Sequence, residues 1–297
     1  MDAILSVKDI HKTYGKVQAL KGVSFDVPKG SVFGILGPNG SGKTTLLGLV
    51  TNILFPTKGS YTLFGEEPTA AHRRMMGTFL ETPNFYHYLD AVQNLRIAAA
   101  IKGRGHDDID RVIEMVSLTQ RKTSRFSTYS LGMKQRLAIA SCLLGDPDVL
   151  ILDEPTNGLD PVGIAEVREL IKQLRQQGKT IIMASHMLDE VEKVCTHVAI
   201  LKRGDLIVSG KVDEILAHDE IVEIGSDNLE LLVSAAAQVP GCKRATLSEG
   251  LVQLYFATGT SQLSAINQYF FSQQIVLNHL QLKKKSLESK FFELTNA

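Results

Sequence analysis

Short apolar runs, each closed by glycine or by acids, punctuate the first two thirds of the chain, and longer stretches with apolar residues three or four apart lie between them. Val32-Phe33-Gly34-Ile35-Leu36, Val149-Leu150-Ile151-Leu152 and Thr180-Ile181-Ile182-Met183 are almost wholly apolar, the pattern of central parallel strands covered on both faces. Ile4-Leu5-Ser6-Val7 and Val23-Ser24-Phe25-Asp26-Val27 are interrupted by polar residues, and residues 3–27 read as an antiparallel edge. From about 82 to 145 the period lengthens. Val92, Leu95 and Ile97, then Val112, Ile113 and Val116, supply the apolar faces of a helical subdomain. Residues 199–208 read as a hairpin turning at Gly204-Asp205.

A domain of residues 1–218 follows from this, with a second at 219–297. The second alternates differently: a strand at 220–224, a helix with Leu229, Leu232, Val233 and Ala236 on one face, strands at 243–247 and 251–256, a helix at 263–271 and a strand at 275–282. That order predicts a small α+β domain of ferredoxin-like type. A last helix is predicted over 286–295. Lys283-Lys284-Lys285 reads as a solvated turn, with contact to anionic lipid as the other reading.

Composition narrows the class. The chain has 297 residues, 44% hydrophobic and 22% charged, enough for two cores. Lys plus Arg equals Asp plus Glu at 32 each, so no global field favours nucleic acid. The sequence holds no apolar run of about 18 residues and no leader at Met1, and a cytoplasmic location is expected. Cys142, Cys195 and Cys242 lack C-x-x-C spacing, which favours buried or idle thiols over a metal or a disulfide.

The chemistry is concentrated in two motifs. Gly37-Pro38-Asn39-Gly40-Ser41-Gly42-Lys43-Thr44 fits G-x-x-x-x-G-K-[ST] and lies between a predicted strand and an apolar helix that continues from Thr45. Glycines let successive N–H groups turn inward, the helix end adds positive partial charge, and Lys43 reaches toward β- and γ-phosphates. Thr44 is placed to put its hydroxyl on Mg²⁺. The second motif is the run 149–152 followed by Asp153 and Glu154. Ligands bind at the carboxyl ends of such strands, so both acids belong beside the phosphate loop. Asp153 fits a role with Mg²⁺ and Glu154 that of polarising the attacking water.

Tyr129-Ser130-Leu131-Gly132-Met133-Lys134-Gln135-Arg136, ahead of an apolar helix and shortly before Asp153, resembles the signature motif of the ATP-binding cassette (ABC) ATPases. The usual form is Leu-Ser-Gly-Gly-Gln. Tyr129, Leu131 and Met133 depart from it, while Ser130 and Gly132 stay. The resemblance implies a P-loop NTPase core with a mixed sheet, an antiparallel edge and a helical subdomain. It also implies ATP hydrolysis in a dimer, either a homodimer or a pair of related ATPases, in which Ser130, Gly132 and Gln135 of one chain close over ATP held by the other.

In the family's order, Asn157-Gly158-Leu159-Asp160-Pro161 resembles the D-loop, with Asp160 as its acid, and His186 after the strand at 180–183 corresponds to the switch histidine. Tyr14 occupies the place of the aromatic that stacks on adenine, structural packing being the other reading of this side chain. Where the family most often has a glutamine that touches Mg²⁺, this chain has Glu81, whose carboxylate can still accept water or bind Mg²⁺. Glu81-Thr82-Pro83-Asn84-Phe85-Tyr86 followed by Asn94-Leu95 looks like the exporters of the bacitracin-resistance and multidrug-efflux group. The implied partner is a separate transmembrane permease docked near Phe85-Tyr86-His87-Tyr88, rings that also suit packing within the helical subdomain. The implied location is the cytoplasmic face of the membrane. The alternative is a soluble ABC ATPase acting on ribosomes or DNA.

Overall fold

The computed structural model describes residues 3–80, 83–216, 220–248, 250–257 and 259–283, with Leu287 and Phe291. It divides into two compact units, Met1–Val212 and Asp213–Ala297.

In the first unit, β1 (Ala3–Tyr14) and β2 (Val17–Pro28) form a long antiparallel pair, which Gly15 at φ 56° helps to turn. β3 (Val32–Leu36) leads through the glycine loop into α1 (Lys43–Val50), and β4 (Lys58–Leu63) returns to pair with β1. A short α2 (Ala70–Arg74) precedes β5 (Met76–Phe79). The helical stretch holds α3 (Ala91–Lys102), α4 (Ile109–Met115) and α5 (Leu131–Leu143). Then come β6 (Val149–Asp153), α6 (Pro161–Gln176), β7 (Thr180–Ser185), α7 (Leu188–Glu192), β8 (His197–Lys202) and β9 (Asp205–Lys211), while α8 (Val212–Leu216) starts at the last residue of this unit and runs into the second. One sheet has the order β2-β1-β4, and the other β5-β6-β7-β3-β8-β9. In the larger sheet β5, β6, β7, β3 and β8 run parallel and β9 is antiparallel to β8.

The two sheets share a core. Leu5, Val23, Leu46, Leu47, Ile151 and Ala199 are each 0–1% exposed within one cluster, and Phe25 of β2 stacks on Phe33 of β3 at 5.1 Å. Every residue of β3, β6 and β7 is buried, which explains their near-continuous apolar sequence. Side chains start three of the helices: Asp90 and Gln93 form a reciprocal capping box at the start of α3, Ser130 caps α5 and Asp160 caps α6 ahead of Pro161.

Helix α5 lies against β5 unusually closely. A Cβ on Gly77 would fall 2.3 Å from the Cys142 carbonyl oxygen, so only glycine admits this approach. Lys102, at the end of α3, donates to the Ser141 and Cys142 carbonyls at the last turn of α5. Burial holds the Lys102 ammonium below the usual lysine range.

The second unit is β10 (Glu220–Gly225), α9 (Leu229–Ala236), β11 (Cys242–Ser248), β12 (Leu251–Phe256), α10 (Leu263–Ser272) and β13 (His279–Lys283), a β-α-β-β-α-β order. Its antiparallel sheet reads β11-β12-β10-β13. Val222, Ile224, Leu232, Leu254, Phe256 and Phe270 form its core.

Three sequence expectations shift. The hairpin turns one residue early, at Arg203-Gly204, because Lys202 pairs with Asp205 and both central residues take positive φ, 52° and 87°, as the favoured two-residue turn requires. The last strand begins at His279 rather than 275: Gln274, at φ 60°, ends the helix and directs Ile275 into the core. Val233 is 43% exposed although its neighbour Leu232 is fully buried, so the apolar face of α9 is narrower than its sequence pattern. The helix expected over 286–295 and the lysines at 284 and 285 lie outside the described residues apart from Leu287 and Phe291. Among the described residues no helix is long and apolar enough to cross a membrane.

Candidate functional site

The loop after β3 is shaped by its glycines. Gly37 takes φ 153° with its absent Cβ 2.2 Å from the Leu201 carbonyl oxygen, and Gly42 takes φ 106° with that point 2.7 Å from the Ala19 carbonyl oxygen. Side chains at either position would push the loop off β8 and β2. Around Gly40 the space is open, and a Cβ there would touch nothing within 4 Å. Gly42 is also the first residue before α1, so the helix begins inside the loop and presents its free N–H groups there.

Lys43 is 6% exposed, and its ammonium donates to the carbonyls of Gly37 at 2.8 Å and Pro38 at 3.3 Å. It lies 3.6 Å from Glu154 Oε1. Ser41 Oγ, in the same loop, is buried and among the described residues has no hydrogen-bond partner. The Thr44 hydroxyl donates to Asp153 Oδ2 at 2.9 Å, tying the start of α1 to the end of β6.

Glu154 follows β6 in the left-handed region at φ 49°, its N–H bonded to the Ala184 carbonyl of β7 at 3.0 Å. That conformation costs a glutamate of order 1 kcal/mol or more and turns its side chain toward the loop. His186 Nδ1 lies 2.9 Å from Glu154 Oε2, and the His186 backbone N–H reaches the same oxygen at 3.4 Å. An ionised carboxylate only accepts, so Nδ1 carries the proton and Nε2 is the ring's remaining polar atom. Lys43, Thr44, Asp153, Glu154 and His186 therefore converge at the carboxyl ends of β3, β6 and β7.

A cavity of about 590 Å³ opens beside them, walled by Tyr14, Asn39, Gly40, Ser41, Gly42, Lys43, Thr44, Thr45 and Glu154. Tyr14 is 44% exposed, and the Lys12 ammonium sits 4.9 Å from its ring centroid. Gln18 and Arg203 also wall this cavity, and neither belongs to a sequence motif. Only the pairing of β1 with β2 and the β8 to β9 turn brings them in. The available signal was the Arg-Gly pair at the expected hairpin.

The signature residues lie elsewhere. Ser130 accepts from the Met133 N–H at 3.3 Å, and Gly132 has Leu159 as its nearest neighbour, 3.7 Å from where its Cβ would be. Asp160 Oδ1 accepts from Gly163 N–H at 2.8 Å. Ser130, Gly132 and Asp160 do not wall the cavity of their own chain. Gln135 is 5% exposed and faces the interior of the subdomain, its Oε1 without a hydrogen-bond partner among the described residues. Glu81 lies outside the described residues.

A second hollow, about 540 Å³, lies between β5, α3 and α5, with Leu80, Pro83, Phe85, Tyr86, Ile97 and Ile101 in its walls. Asn94, 2% exposed, fixes the loop at its edge by accepting from the Tyr86 N–H at 2.8 Å and donating to the Tyr86 and Asp90 carbonyls. Phe85 packs edge-on against the buried Phe126 at 5.2 Å, whereas Tyr86 and Tyr88 are 51% and 69% exposed. The four-residue aromatic segment thus divides between interior and surface.

Comparison with known proteins agrees with this arrangement. The family model described as ABC transporter matches residues 20–157. An uncharacterized ABC transporter ATP-binding protein of Bacillus subtilis, YhcH, is 36% identical over 99% of this chain and 97% of its own. The bacitracin transport ATP-binding protein BcrA of Enterococcus faecalis is 31% identical, again over 99% of this chain and 97% of its own. Among solved structures, cbiO1 of Clostridium perfringens, part of the ABC transporter complex cbiONQ, superposes with a TM-score of 0.66 at 33% identity, covering 73% of this chain and 92% of that one.

Proposed function

The chain belongs to the ABC transporter family as an ATP-binding and hydrolysing subunit, and from that premise we propose how its residues divide the work. The observation that carries the reading is the convergence of Lys43 and Glu154 on one cavity at the carboxyl ends of parallel strands, with His186 bonded to Glu154 behind it. Lys43 and the N–H groups of the loop, through Thr44 and Thr45, bind the β- and γ-phosphates, and Tyr14 offers a ring face to adenine. Glu154 takes the proton of the attacking water as it forms its bond to the γ-phosphorus, while ADP leaves with the electrons of the broken P–O bond. His186 holds that carboxylate through Nδ1 and presents Nε2 toward the γ-phosphate.

The donor set fits Mg²⁺. Thr44 and Asp153 offer a hydroxyl and a carboxylate, hard oxygen ligands, and among the described residues no group of three or more His, Cys, Asp or Glu side chains forms a cage. Such a pair suits an ion that completes its shell from phosphates and water, where it neutralises charge on the transferring phosphoryl group.

Ser130 and Gly132 serve the partner's nucleotide. They stand at the free N-terminus of α5, away from their own cavity, and need a second chain to reach a phosphate. The 540 Å³ hollow, with exposed Tyr86 at its rim, receives a short helix of a transmembrane permease at the cytoplasmic face of the membrane. Likeness to a bacitracin transport protein over nearly the whole chain supports export as the direction. The decisive test is Lys43→Ala: a folded variant that has lost ATP binding is expected, and tight ATP binding in that variant would overturn the site.

A further inference from the structure

We propose that Arg203 is a nucleotide-binding residue that pairs with the α-phosphate. The inference rests on the nucleotide reading of the cavity and adds to it a side chain about 160 positions beyond the phosphate loop.

Arg203 stands in the β8 to β9 turn at φ 52°, a left-handed conformation that an arginine adopts only when its surroundings impose it. Two backbone bonds impose it here. The Gly204 N–H donates to the Ser41 carbonyl at 3.0 Å, fastening the turn to the phosphate loop, and the Gly204 carbonyl accepts from Lys21 N–H at 2.9 Å, fastening it to β2. Gly204 itself fits against β2 so closely that a Cβ would lie 2.8 Å from the Ala19 carbonyl oxygen. An ion pair between Lys21 and Asp205 at 2.8 Å closes the same junction.

The turn therefore occupies a defined place along the cavity. Tyr14 pairs with Val17 at one end, Gln18 and Ala19 come next against Gly204, then Ser41 and Gly42, and Lys43 with Glu154 stands at the other end. If Lys43 marks the β- and γ-phosphates and Tyr14 the base, the middle falls to the α-phosphate and ribose. The side chain of Arg203 is exposed and walls the cavity at that middle. Its charge is uncommitted: Lys43 is compensated by Glu154 and two carbonyls, whereas Arg203 has no ion pair or hydrogen bond among the described residues. A planar guanidinium with several donors, held by a strained turn at the edge of an anion-binding loop, matches the two non-bridging oxygens of an α-phosphate.

The test is titration calorimetry with ADP and with ATP on the full chain, comparing wild type with Arg203→Ala, Arg203→Lys and Arg203→Gly. Arg203→Ala should weaken ADP and ATP by the same factor, roughly fivefold at low salt, as a solvent-exposed charge pair does, and the difference should shrink in 0.5 M salt. Arg203→Lys keeps the charge but not the planar fork and should recover only part of the loss. Arg203→Gly satisfies the turn without the charge and should bind as weakly as the alanine variant; wild-type affinity in that variant would show that the backbone, not the cation, matters and would overturn the proposal. Unchanged affinity in Arg203→Ala, or a loss confined to ATP, would overturn it too. A wild-type chain binding neither nucleotide would overturn the cavity's assignment and this inference with it. Binding lost in Lys43→Ala but intact in Arg203→Ala would remove Arg203 alone.

Discussion

Glu154→Gln separates binding from chemistry most cleanly. The substitution keeps the shape of a side chain held from three directions: His186 Nδ1 at 2.9 Å, the His186 N–H at 3.4 Å and the Lys43 ammonium at 3.6 Å. A glutamine oxygen still accepts from His186. What disappears is the negative charge. Against Lys43, buried and left with the Gly37 and Pro38 carbonyls, that loss is worth about 3 kcal/mol, the lower end for a broken buried pair, and a change of that size moves the melting temperature by roughly 6–12 °C. The affinity for ATP should hold or rise, since a carboxylate beside a polyanion repels it. Turnover should fall at least about 100-fold, the contribution of a general base, equivalent to nearly 3 kcal/mol in the barrier. Phosphate release at saturating ATP, calorimetric ATP binding and gel filtration with ATP and Mg²⁺ read the three quantities, with a dimer expected in the last. Turnover within threefold of wild type would remove Glu154 from the chemistry. ATP affinity falling in step with turnover would make it a builder of the site rather than its base.

Mixing Lys43→Ala chains with chains carrying Ser130→Arg and Gly132→Asp should give a heterodimer holding ATP at its one intact composite site; if ATP produces no heterodimer, the shared-site mechanism is wrong. Tyr86→Ser should leave the ATPase rate and melting temperature of the isolated subunit nearly unchanged yet weaken its recovery with the permease from detergent, and unchanged recovery would move the docking surface elsewhere. Phe85→Ser, by contrast, removes a ring packed on Phe126 and should cost about 2–3 kcal/mol of stability, read by denaturant unfolding. Burial pushes the Cys142 thiol up to about 12 and Cys195 further up, so both stay protonated and unreactive at pH 8; only Cys242 should react with a thiol reagent on the native protein, and all three after denaturation. Fast native labelling of three thiols would contradict the packing around α5 and β3.

What the sequence exposed, it exposed through contiguity. The phosphate loop, Asp153 with Glu154, and His186 each sit at the end of an apolar run, so strand, turn and chemistry are written within a dozen residues and their meeting follows from parallel strands sharing one carboxyl edge. Arg203 and Gln18 carry no such local mark. Their place depends on a turn type and a strand register, which two positive φ angles and one bond to Ser41 decide. Phe85 and Tyr86, adjacent and alike in sequence, part company because Asn94 pins the backbone between them and Phe126 takes one ring. The apolar face of α9 is wider in sequence than in the fold for a related reason: periodicity counts apolar residues, while the partner surface decides how many it covers.

Helix α5 turns these separate places into one mechanical part. Its thirteen residues make a rod of about 20 Å, with Ser130 at one tip and, at the other, a last turn clamped by Lys102 and pressed without clearance on Gly77. Ala138 and Ser141, near the clamped end, wall the hollow assigned to the permease. The helix is packed along its length, with Leu137 and Ile139 in the core and Arg136 held by the Val116 carbonyl and Glu166, so a push delivered through the hollow would move it as one body and carry Ser130 with it. In the reverse sense, a phosphate held at Ser130, as proposed above, would fix the wall of the hollow from the far end of the same helix.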